Sequence, residues 1–125
     1  VETAPERRAA SKVRIPSKAV FRRHLAETRE ILGLSQNELA ELFGVRQPSL
    51  AAWLAHGVPR SRIASVERIY ELSKVLDVEL IRERIPEIIR TPDEWLGGRS
   101  ILDVIKREGT APIYGYLARL FAYQG

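Results

Sequence analysis

Residues 36–55, QNELAELFGVRQPSLAAWLA, decide the fold. Leu39, Ala40 and Phe43 form one apolar set; Leu50, Trp53 and Leu54 form another. Spacings of three and four put each set on one helical face. Gly44 lies between them, where a sharp helix-to-helix turn favours a residue that accepts positive φ. Ala40 is small, as suits two helices that cross closely. Ser35 and Glu38 have the S-x-x-E spacing of a capping box and start the first helix. The second opens at Arg46–Gln47. Pro48 fits there because a first-turn residue needs no intrahelical N–H partner, although it disfavours an α conformation at Gln47.

Outward from this stretch, Phe21, Leu25, Thr28 and Leu32 predict a helix over 18–32, ended by Gly33. After the loop His56–Pro59, a longer helix runs to Leu80. Its apolar residues are Ile63, Val66, Ile69, Tyr70, Leu76 and Leu80, widened by Leu72 and Val75. A face so wide suggests contact on two sides, with the chain's own core or with a second chain. Pro86 interrupts RERIPEIIR. Thr91-Pro92-Asp93-Glu94 predicts a helix start with Thr91 as N-cap, and Gly97-Gly98 stops it. Ser100 caps a helix through Arg107, Gly109 ends it, and Thr110 caps a last helix over 111–123. Residues 1–17 lack apolar periodicity and read as a basic flexible arm. Its Arg7, Arg8, Lys12 and Arg14, with Lys18, can follow phosphates or a minor groove; a solvated tail is the blander reading. No stretch alternates as a strand does, so the expected class is all-α.

The net charge is +4 over 125 residues. Residues 1–62 hold 11 Lys/Arg against 6 Asp/Glu, and residues 63–125 hold 9 against 10. The positive field therefore travels with the paired helices and would attract a polyanion. There is no cysteine, hence no disulfide framework or thiolate metal site. No apolar run reaches the length of a membrane span. A soluble, cytoplasmic protein is expected.

The stretch from Ala40 resembles the helix-turn-helix of the Xre and phage-repressor families. Those families place a small residue, a Gly four later, and apolar residues six and nine beyond the Gly; Ala40, Gly44, Leu50 and Trp53 match all four positions. The resemblance implies double-stranded operator DNA as a partner, with Gln36 in the family's usual phosphate-contacting position. A second block, Leu96-Gly97-Gly98-Arg99-Ser100-Ile101-Leu102 with Trp95 and the closing helix, resembles the toxin-binding domain of Xre/MbcA/ParS-type antitoxins. Ile101 departs from it, since many relatives carry Pro there. The likeness implies a separate RES-type toxin partner, one that consumes or transfers from NAD. The expected architecture is an N-terminal helix-turn-helix domain (18–62), connecting or dimerising helices (63–90) and a small helical toxin-binding domain (91–125).

On that basis the expected DNA contacts are Gln36, Arg46, Gln47, Ser49, Ala52, Arg60 and Arg62. Expected toxin contacts are Trp95, Arg99, Tyr116, Arg119, Tyr123 and Gln124, with some of Tyr114, Leu117, Leu120 and Phe121 packing inward. A homodimer is expected, because one such motif reads only a few base pairs. No enzyme, cofactor or metal is expected. His24 and His56 sit in no metal-binding motif, His24 reading as an exposed helix residue, and no nucleophile elbow or phosphate loop appears. The alternatives are a repressor with a C-terminal dimerisation or ligand-binding domain and no toxin, and an interaction protein whose helix-turn-helix no longer binds DNA.

Overall fold

The computed structural model describes residues 17–122. Seven α-helices are found among them: α1 (Lys18–Leu32), α2 (Gln36–Phe43), α3 (Gln47–His56), α4 (Ile63–Glu79), α5 (Ile85–Ile88), α6 (Ile101–Glu108) and α7 (Ala111–Ala122). Single 3-10 turns occupy Arg60–Arg62, Arg82–Arg84 and Glu94–Leu96. The described residues contain no strand, only one isolated antiparallel bridge between Asp93 and Arg99. The all-α expectation holds.

α1 buries Phe21, Leu25, Thr28, Ile31 and Leu32. Thr28 can be buried because its hydroxyl donates to the His24 carbonyl, 2.8 Å away. Gly33 ends the helix at φ +63°, and a side chain there would also meet the Pro86 ring at 2.5 Å. α2 starts at a complete capping box: Glu38 N–H donates to Ser35 Oγ, and Ser35 N–H donates to Glu38 Oε1. Gly44, at φ +66°, turns the chain into α3.

α4 lies along α1, pointing the same way. A polar seam joins them. The His24 ring stacks on Tyr70 at 3.9 Å between centroids, and its Nδ1–H donates to Glu67 at 2.8 Å. Tyr70 and Lys74 both donate to Glu27. His24 is thus half-buried and partnered, not the exposed residue expected from its helix position: α4 docks over it.

The wide apolar face of α4 turns mainly into the chain's own core. Val66, Ile69, Leu72 and Leu76 are buried, as are Ile85 and Ile89 beyond it. What remains outside is Val78, 82% exposed, and Ile81, 67% exposed. α6 packs on α2, burying Ile101, Leu102, Val104 and Ile105, so a single core runs through both halves.

The Thr91 start is corrected. Thr91 donates its hydroxyl back to the Glu87 carbonyl, closing α5. Asp93 instead caps the following turn, accepting from Trp95 N–H at 2.8 Å. Ser100 caps α6 as expected, accepting from Asp103 N–H. Arg90 joins the halves: its guanidinium donates to both Glu38 oxygens, to the Gly33 carbonyl at 3.0 Å and to the Pro86 carbonyl at 2.6 Å.

Candidate nucleic-acid interface

Two buried anchors fix the rotation of α3. Leu50 is fully buried, and Trp53 packs edge-on to Phe43 with ring centroids 6.0 Å apart. With that face inward, Arg46 at the N-cap and Ser49 and Ala52 on the helix are exposed, with Pro48 beside them. Gln47 is half-buried because its amide donates to Gln36 Oε1 at 2.7 Å. That bond links the first residue of α2 to the first residue of α3. It leaves the Gln36 NH2 group and one Gln47 oxygen available to outside partners.

The far end of α3 is tied as well. Arg22 of α1 donates to the Ala55 carbonyl at 2.9 Å, satisfying a carbonyl that the helix leaves open. Sequence reading missed Arg22, because its partner lies 33 residues away.

Arg60 and Arg62 differ. Arg60 is exposed, with no side-chain hydrogen bond among the described residues. Arg62 is half-buried; its Nη1 donates to the Phe43 carbonyl at 3.2 Å and its guanidinium lies 5.8 Å from the Trp53 ring centre. It joins the end of α2 to the core face of α3 and does not project freely toward a phosphate.

At the opposite end of the chain, four expected toxin contacts fall close together. The Arg119 guanidinium lies over the Trp95 ring at 5.8 Å, and Tyr116 meets that ring edge-on at 6.4 Å. Arg99 donates to the Leu96 carbonyl and pairs with Glu108. The inward-facing set of α7 is corrected. Tyr116 is buried with Ile113 and Leu117, while Tyr114 is the exposed tyrosine. Docking on α6 sets this register, and Tyr116 turns inward because Asp93 accepts its phenol proton at 2.7 Å. Burial, then the Asp93 hydrogen bond, pushes the Tyr116 hydroxyl up to about 12. Asp93 is the hub of this site: its carboxylate accepts from Trp95 N–H and the Tyr116 hydroxyl, and its own N–H donates to the Arg99 carbonyl. Tyr123 and Gln124, like the basic arm, lie outside the described residues.

Residues 25–81 match the helix-turn-helix family model. The match runs from Leu25 in α1 to Ile81 just past α4 and supports an Xre-type DNA-binding domain in this part of the chain. No curated protein matches the chain. Among the described residues no helix is long and apolar enough to cross a membrane.

Proposed function

We propose that this chain is an antitoxin-type regulator. Its helix-turn-helix binds operator DNA as a homodimer and controls its own operon, while residues 91–125 neutralise a RES-type toxin in the cytoplasm. One observation carries the DNA half: buried Leu50 and Trp53 hold α3 so that Arg46, Ser49 and Ala52 point outward, ready for a major groove. Gln47 would read a base edge through the atoms that Gln36 leaves unused. Gln36 and Arg60 would meet phosphates.

The toxin half rests on the Leu96–Leu102 resemblance and on the surface around Trp95. Trp95 and Arg119 would touch the toxin, joined by Tyr114 and by the Tyr123–Gln124 tail; aromatic rings and arginine suit such contacts. Arg99 and Tyr116 would hold that surface in shape. The test is co-expression with the gene encoded beside this one, followed by co-purification. A stable complex with a RES-type protein, lost on Trp95→Ala/Arg119→Ala, is expected. DNA binding with no such complex would leave the repressor reading. That alternative has its own support in a cleft between the two halves, lined by Phe43, Ser65, Arg68, Ile105, Lys106 and Thr110, where a small ligand would touch both.

A further inference from the structure

We infer that Arg90, from outside the helix-turn-helix, is a positioning residue for DNA binding: it neutralises the Glu38 carboxylate at the phosphate-facing start of α2. This rests on the DNA-binding reading above. Glu38 follows Gln36 by two residues in the first turn of α2, and its carboxylate is tied down beside Ser35 N–H by the capping box. Left alone, that fixed negative charge would oppose an approaching phosphate. The start of α2 otherwise suits an anion, because its first N–H groups carry positive partial charge.

Arg90 removes the conflict. Its Nε and Nη2 both reach the Glu38 carboxylate, at 2.9 to 3.2 Å. The same guanidinium is held from behind by the Gly33 and Pro86 carbonyls. It is therefore committed to this place, and its charge is spent on Glu38. Ser35 N–H and then Arg90 hold the Glu38 carboxyl below its ordinary value, so it is ionised at neutral pH. Arg90 lies nine residues past the end of the helix-turn-helix match at residue 81. The C-terminal half thus sets the field at the DNA-reading end, and any event that draws the α5 segment away bares Glu38 and weakens DNA binding.

The test uses the full chain and a random-sequence duplex of about thirty base pairs, with binding followed by fluorescence anisotropy across a salt series. One unit charge near the outer phosphates changes affinity by roughly two- to fivefold at low salt. Arg90→Gln should weaken binding by that factor, and the loss should shrink as salt rises. Adding Glu38→Gln to it should restore wild-type affinity, since Gln also closes a capping box. Glu38→Gln alone, which leaves the clamp's backbone contacts in place, should bind more tightly than wild type and tests the idea even if Arg90→Gln fails to fold. An unrescued double variant would overturn the proposal and make Arg90 a packing residue only, as would unchanged or weaker binding by Glu38→Gln. If the wild-type chain binds no duplex, the DNA-binding reading itself falls, and this inference with it.

Discussion

Arg60 and Arg62 stand two residues apart in one 3-10 turn and carry the same charge, yet the fold uses them differently. Arg62 is spent on the Phe43 carbonyl and the Trp53 ring; Arg60 has only solvent to face. Arg60→Ala should flatten the dependence of log affinity on log salt by about 0.9, the share of one phosphate contact. Arg62→Ala should leave that slope unchanged and cost about 1–2 kcal/mol of stability, the order of one hydrogen bond and a ring contact. A salt titration with a thermal melt on each variant separates the two. Acid tolerance is also set by single residues. The Lys74 ammonium holds the Glu27 carboxyl below its usual value of 4.5, and Ser35 N–H with Arg90 does the same for Glu38. The unfolded chain therefore takes up those protons first. Stabilisation by both groups is complete above about pH 4.5 and is lost as pH falls below it. Melts between pH 6 and pH 3 should show a shallower decline for Glu27→Gln/Glu38→Gln than for wild type. Tyr116 behaves in the opposite sense: its contribution is full below pH 10 and is lost as pH rises toward about 12.

Among the elements, those with strong local signals were legible. α1, α2 and α3 run where apolar periodicity, the capping box and the glycine stops place them, because each is specified within its own residues. Two glycines in like turns now part company. Gly33 and Gly44 both sit at positive φ, but only at Gly33 would a Cβ strike something, the Pro86 ring. Gly44→Ala should cost about 1 kcal/mol for the left-handed backbone alone. Gly33→Ala should cost distinctly more, since α5 must also shift, and denaturant titration of the pair measures the gap. The turn after Pro92 and the face of α7 were not legible from neighbours in sequence. Thr91 has the right chemistry for a cap but spends its hydroxyl on α5. Tyr116 turns inward for Asp93, 23 residues away. Anchors within α3 made its exposed residues readable; contacts across the fold decide the Trp95 surface.

At the scale of the whole molecule, α4 has spent most of its apolar face on the core, which narrows where a second copy can bind. The apolar side chains left outside on this part of the surface are Val78 and Ile81, flanked by charges of both signs at Lys74, Asp77, Arg82 and Glu83. A two-fold interface must be self-complementary, and mixed charge around an apolar centre meets that requirement. Val78→Glu/Ile81→Glu should give a monomer in sedimentation velocity without lowering the melting temperature. A wild-type chain that sediments as a monomer at micromolar concentration, with and without its protein partner, would remove the homodimer. The seam between α1 and α4 has a consequence of another kind. His24 meets Glu67 and Glu27 meets Lys74, pairs 43 and 47 residues apart that enclose all of α2 and α3. The two helices of the helix-turn-helix are thus threaded inside a long closed loop and cannot be shed while its ends stay fastened. In amide hydrogen exchange the interior amides of α2 and α3 should open together with those of α1 and α4, as one cooperative unit, while α7 exchanges on its own faster schedule.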